Sequence, residues 1–208
     1  MSQPTIRKQR IRRSSVKTRL IVFGTLAVLL LLFSIFSEYL TPYDPYLQDL
    51  SIAKAPPSAE HLLGTDRYGR DMLSRVIVGS RASIFSTLLL VAVITVLGTV
   101  VGVFCGWHGR WMDTVLMRIS DMFLAFPGLV FALAVAGSLG GGLQNAIIAL
   151  AAISWPKYAR IARSQTLAQK ETVWMKAAKL SGSSTAKLIF KHILPNIIGP
   201  ILVTAMLD

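Results

Sequence analysis

Ionisable side chains are scarce in this 208-residue chain: only 15% of its residues are charged, against about 25% in ordinary soluble domains. The shortage is uneven, because the stretches 20–36, 83–106 and 122–153 hold no Asp, Glu, Lys, Arg or His at all. Acidic residues are the scarcest, ten against 22 Lys and Arg, and the net charge is +12. A nucleic-acid binder of that charge gathers its basic groups on a soluble face. Here they flank apolar runs, so no nucleic-acid partner is expected. A single cysteine, Cys105, rules out an intrachain disulfide framework, and no zinc or iron–sulfur spacing exists. It reads as a small buried hydrophobe. His61, His108 and His192 fall in three separate segments, so no metal site and no cofactor are expected. The pattern G-x-x-x-x-G-K-[ST] does not occur, so this chain carries no loop of its own for cradling ATP phosphates.

What is present is a series of apolar runs separated by polar connections. Residues 1–19 form a basic segment that reads as a disordered tail, and 20–40 form a first span of about the 20 residues needed to cross a membrane. Ser37-Glu-Tyr-Leu40 offers no small-residue cleavage site, which favours an uncleaved anchor. The connection 41–81 holds Pro42, Pro45 and Pro56-Pro57 and is expected to be a polar loop. Further spans are expected at about 83–106, 119–137, 146–163 and from 197 to the chain end, the last incomplete, with a polar loop at 164–196.

Orientation follows from Lys and Arg near the spans. With the N-terminus in the cytosol, 17 basic residues lie on the cytosolic side and five on the other, where they sit among comparable acidic charge. The expected topology is multi-pass in a bacterial inner membrane with a cytosolic N-terminus. Loop 164–196 is then cytosolic and loop 41–81 extracytoplasmic.

Within 164–196, Val173 to Ser181 reads as a helix, Gly182 as its break, and Ser183 or Ser184 as the cap of a second helix ending near His192-Ile-Leu-Pro195. The small Ala177 and Ala178 permit close approach by a partner surface. Lys176, Lys179 and Lys187 equally suit a helix resting on anionic lipid headgroups, and the residues alone leave both readings open.

Ala177-Ala178, three residues, Gly182, nine residues and His192-Ile193-Leu194-Pro195 resemble the EAA loop of binding-protein-dependent ABC importer permeases, which docks into a groove on an ATPase subunit. Lys176 stands where that family usually has Glu, so no specific salt bridge is carried over to it. His61-Leu-Leu-Gly-Thr-Asp-Arg-Tyr-Gly-Arg-Asp-Met-Leu-Ser-Arg75 is similar to the signature preceding the second span of peptide and nickel importer permeases. Arg118 with Asp121-Met-Phe-Leu-Ala-Phe-Pro127 resembles their third span.

The resemblance implies an all-α polytopic transmembrane helical bundle of the type I ABC importer permease kind. It points to the second, C-type permease subunit of the dipeptide, oligopeptide and nickel family, C-terminally truncated. It implies a second permease chain, two ABC ATPase subunits, an extracytoplasmic substrate-binding protein and membrane lipid as partners, with ATP hydrolysis left to the ATPases. ATPase coupling falls to Lys176, Ala177, Ala178, Gly182, Leu194 and Pro195. The extracytoplasmic signature Gly64, Thr65, Asp66, Gly69, Arg70 and Asp71 reads either as a gate that meets the binding protein or as a cap held by Arg–Asp pairs. Pro127-Gly128 reads as a bend beside the pathway or as a static kink. The rival classes are an intramembrane enzyme and a secondary transporter. Both need ionisable or catalytic groups at membrane depth, and the expected spans have almost none.

Overall fold

A computed structural model describes the backbone of residues 6–207 and the side chains of residues 17–207. Among the described residues the secondary structure is helical, with a lone antiparallel bridge between Thr65 and Asp71. The helices are α1 (Ile6–Ile35), α2 (Ser37–Leu40), α3 (Met72–His108), α4 (Arg110–Ala125), α5 (Gly128–Ser138), α6 (Leu143–Lys170), α7 (Val173–Leu180), α8 (Thr185–Lys187) and α9 (Leu194–Ala205). A 3-10 turn occupies Leu50–Ile52, and a π-helical segment, Leu188–Ile193, joins α8 to α9. The chain divides into two compact units, residues 1–85 and 86–208.

Several boundaries differ from the sequence expectation. Helix α1 starts at Ile6 and runs through the basic segment expected to be a disordered tail. Arg, Lys and Gln are good helix formers, and an apolar helix already nucleated downstream extends at little cost. Helix α3 starts at Met72 rather than 83, inside the expected loop 41–81, because Asp71 caps it: the Asp71 carboxylate accepts from Ser74 N–H at 2.7 Å.

The expected third span is two helices, α4 and α5, meeting at 92° across Phe126-Pro127. Pro127 has no N–H and forces its predecessor out of helical geometry. Phe126 is accordingly extended. The expected fourth span lies inside α6, whose C-terminal half carries Lys157, Arg160, Arg163 and Lys170. Among the described residues, the helices long and apolar enough to cross a membrane are Lys17–Ile35, Met72–His108 and Thr185–Ala205, with the bent α4–α5 pair as a possible fourth.

In the unit 86–208 the core joins Ile94, Val103, Tyr158, Met175, Ile193 and Ile197, contributed by α3, α6, α7, the π segment and α9. Helix α3 meets α6 along a row of glycines one turn apart. A Cβ on Gly102 would collide with the Ala159 carbonyl oxygen, one on Gly98 would lie 2.7 Å from the Trp155 carbonyl, and one on Gly106 2.8 Å from Thr166 Cβ. Small residues repeated every fourth position let two helix backbones approach closely, a packing favoured where lipid supplies no hydrophobic drive.

Candidate functional site: the helix–turn–helix at 173–195

Helix α7 is short and strongly two-sided. Met175 is fully buried, and Ala178 packs against the same core. On the opposite side Val173, Ala177 and Leu180 follow helical spacing and are exposed, Leu180 to 90% of its surface. The outward face is therefore largely apolar, with a methyl group at its centre and the exposed Lys176 beside it. The sequence expectation grouped Ala177 with Ala178, and the structure separates them.

The helix ends as its sequence indicates. Gly182 adopts φ +80°, its N–H donates to the Lys179 carbonyl at 3.1 Å, and Ser183 N–H donates to the Ala178 carbonyl at 3.2 Å. These are the two hydrogen bonds of a Schellman ending. No atom lies within 4 Å of where a Gly182 Cβ would sit, so backbone conformation alone calls for glycine there. Of the two serines expected as caps, Ser184 is the one used, accepting from Lys187 N–H. The π widening at Leu188–Ile193 precedes Pro195, which cannot donate to the Lys191 carbonyl, so the helix re-registers one turn early. Leu194 is half-buried against the core and Pro195 is exposed.

Three sets of contacts tie α7 to its surroundings, of which the Lys176–Glu171 pair is exposed. The Trp174 indole lies 5.6 Å from the His192 ring, and Lys176 pairs with Glu171 at 2.9 Å, which lowers the Glu171 carboxyl chiefly through that hydrogen bond. Lys179 Nζ sits 5.0 Å from the Trp107 ring centroid, and the same ring receives Lys170 Nζ at 5.7 Å. Lys170 also donates to the Gly106 and Trp107 carbonyls at 3.2 and 2.7 Å, satisfying the C-terminal end of α3. Two further pairs bind α4 to α6: Asp113 with Arg163, bidentate, and Asp121 with Arg160. Sequence reasoning missed Trp107, Lys170 and the glycine row at 98, 102 and 106. The fourfold glycine spacing was the available signal for the last.

In the other unit the segment 64–71, expected from the sequence to be an extracytoplasmic signature, closes into one turn. Asp66 receives Arg70 Nε at 2.8 Å and Nη2 at 2.7 Å, together with the N–H groups of Tyr68 and Arg70. Its carboxyl falls to about 2, first through the Arg70 side chain. Burial pushes the Asp71 carboxyl up, but hydrogen bonds from Ser74 and the His61 contact at 3.0 Å outweigh it and hold it below its ordinary value. Thr65 accepts from Ala55 N–H and donates to the Ile52 carbonyl. Gly64 and Gly69, with φ +73° and +72°, press against the Ala55 and Asp49 carbonyls, where a side chain has no room. Every signature residue thus takes part in holding the loop together.

At Pro127-Gly128 the bend wraps an aromatic cluster: Phe123 meets Phe131 and Trp155 edge-on at 6.1 and 6.0 Å. Beside it Phe123, Trp155, Leu89 and Val93 line an apolar groove of about 490 Å³. Among the described residues no group of His, Cys, Asp and Glu could hold a metal ion. Cys105 is fully buried.

Residues 98–208 match the family described as binding-protein-dependent transport system inner membrane component. Over 185 residues, 89% of this chain, the sequence is 43% identical to the probable D,D-dipeptide transport system permease protein DdpC of Escherichia coli (strain K12). It is 38% identical, over 92% of the chain, to the dipeptide transport system permease protein DppC of Alkalihalophilus pseudofirmus. It is 36% identical, over 94% of the chain, to the nickel transport system permease protein NikC of Escherichia coli (strain K12), of which 69% is covered. The matches to the two dipeptide relatives cover 62% and 63% of their lengths, so the chain spans less than two thirds of each.

Proposed function

The chain belongs to the family of binding-protein-dependent transport system inner membrane components, and from that premise we propose that it is the permease subunit of an ATP-driven importer of peptides or nickel. The observation that carries this reading is the outward stripe of α7. Val173, Ala177 and Leu180 are exposed while Met175 anchors the same helix in the core, a geometry suited to seating in a partner's groove. With no nucleotide-binding loop in this sequence, the partner that fits is an ATPase subunit, two of which would serve a pair of permease chains.

Support for orientation comes from the 17-to-5 distribution of Lys and Arg. It puts the N-terminus, α7 and the Gly182 turn on the cytosolic side and the Asp66–Arg70 turn outside. An extracytoplasmic binding protein would then deliver substrate near the Asp66–Arg70 turn. The dense internal bonding of that turn favours a cap that keeps the mouth of α3 in shape over a moving gate. ATP-driven closure of the ATPases would move α7 as a rigid element and switch access to the cavity. The peptide and nickel transport of the relatives supports peptides or nickel as the substrate class.

The test is uptake by a strain lacking the gene, supplied with labelled L,L- and D,D-dipeptides and with limiting nickel(II). The reading expects uptake of at least one to be lost, restored by the gene, and abolished when the ATPase genes are deleted. Uptake that persists without the ATPases contradicts it and favours a secondary transporter.

A further inference from the structure

The coupling reading assigns α7 as the receiver of the ATPase movement but leaves open how that movement reaches the long helix α3. The two helices meet at one indole. Trp107 lies one residue before the C-terminal end of α3, half-buried against the core. Its ring faces two ammonium groups from different helices, Lys170 of α6 and Lys179 of α7. Their placements differ. Lys170 has carbonyl partners on Gly106 and Trp107, so its position is fixed by the end of α3 itself. Lys179 reaches the ring from α7.

Immediately above, Gly106, Gly102 and Gly98 seat α3 against α6 so closely that neither backbone has room to slide toward the other. A displacement of α7 that carries Lys179 therefore meets a ring rigidly continuous with α3. The other contacts of α7 lead elsewhere, Trp174 to His192 on the π segment and the exposed Lys176 to Glu171 at the end of α6.

We propose that Trp107 is a positioning residue that couples α7 to α3 through the Lys179 cation–π contact, with Lys170 locking the indole to the end of α3. This rests on the reading that α7 docks an ATPase. The contact suits the task because a cation over an indole face tolerates sliding while its electrostatic attraction resists separation.

The experiment uses the assembled importer in proteoliposomes, with its own ATPase subunits and its binding protein purified together with whatever ligand it carries. Two quantities are read: co-purification of the ATPase, and stimulation of ATP hydrolysis by the binding protein added outside. Stimulation is the reciprocal of ATP-driven movement at the outer face, since coupling between two sites acts both ways. Trp107→Leu and Lys179→Gln are expected to leave co-purification unchanged and to cut stimulation about three- to tenfold, the size expected for losing one partly desolvated cation–π contact. The double variant is expected to be no worse than either single one. Trp107→Tyr and Lys179→Arg, which keep a ring and a cation, are expected to retain most of the stimulation.

Unchanged stimulation in Trp107→Leu overturns the proposal. So does equal damage from Trp107→Tyr and Trp107→Leu, which would mean the indole only fills space. Loss of the ATPase from Trp107→Leu also overturns it, because the contact would then hold α7 for docking rather than transmit movement. Failure of the docking reading itself is seen separately, as an ATPase that stays bound when Ala177 on the outer stripe is changed to Trp.

Discussion

Ala177 and Ala178 are neighbours in the chain and face opposite surroundings: Ala177 is exposed on the outer stripe of α7, whereas Ala178 packs against the core that includes Met175 and Ile193. A tryptophan at each position therefore has a different consequence. Ala178→Trp overpacks this chain's own interior, a change that costs about 1–3 kcal/mol, and is expected to lower abundance and melting temperature. Ala177→Trp is expected to leave both unchanged and to lose the ATPase on co-purification. Thermal melting of the detergent-solubilised chain, set beside the amount of ATPase recovered, separates the two. Equal loss of stability in both variants would refute the two-sided description of α7.

Gly182 ends α7 in left-handed geometry with open space where a side chain would lie. Substitution therefore tests backbone strain alone. Gly182→Val is expected to cost about 1–2 kcal/mol at that turn, while Gly182→Asn, whose side chain tolerates the left-handed region, is expected to cost less. Both chains should insert normally, and transport should fall more for Val than for Asn. Equal transport by the two variants would mean that φ at this turn does not matter to coupling.

The glycine row of α3 makes a sharper stability prediction. At Gly102 even a methyl group meets the Ala159 carbonyl and Ala162, so Gly102→Ala is expected to destabilise by about 1–3 kcal/mol through overpacking. At Gly79 of the same helix nothing lies within 4 Å of the added carbon. Gly79→Ala is expected to be neutral or stabilising by up to about 1 kcal/mol, from helix propensity. Melting temperatures of the two variants, measured side by side, check the contrast.

The loop at 41–71 carries an acid-sensitive clasp. The Asp66 carboxyl is lowered to about 2 from an ordinary value of 3.8 by Arg70, so the clasp holds fully above pH 3.8 and is lost as pH falls from 3.8 toward 2. The Asp71 carboxyl is also lowered, which gives the same sign. Pepsin cleavage within residues 41–71, normalised to a flexible tag, is expected to rise across that window. In Asp66→Asn the loop is expected to be cleaved readily at the upper end already. A flat profile for the native chain would remove the clasp from the account.

How far the sequence could be read depended on which interactions decide each element. Gly182 and Ser184 were legible because a cap and a left-handed turn are set by single residues, and so was the break at Pro127. Its angle of 92° was not, because the direction of a bend depends on what Phe123, Phe131 and Trp155 pack against. The start of α3 was placed eleven residues late because hydrophobic pattern was weighed over the Asp71–Ser74 cap. The meeting of Lys179 with Trp107 rests on a contact between residues 72 positions apart, and the inward turn of Ala178 on packing against Met175 and Ile193.

The central claim is that the exposed face of α7 seats an ATPase, and the most direct measurement is a cross-link from that face. Leu180, 90% exposed, is replaced by cysteine, and the native Cys105, fully buried, does not compete for the reagent. A photoactivatable thiol reagent on Leu180→Cys, followed by mass spectrometry of the adduct in intact membranes, is predicted to identify a polypeptide carrying the G-x-x-x-x-G-K-[ST] nucleotide loop. An adduct with lipid alone, or with a protein lacking that loop, would contradict the claim.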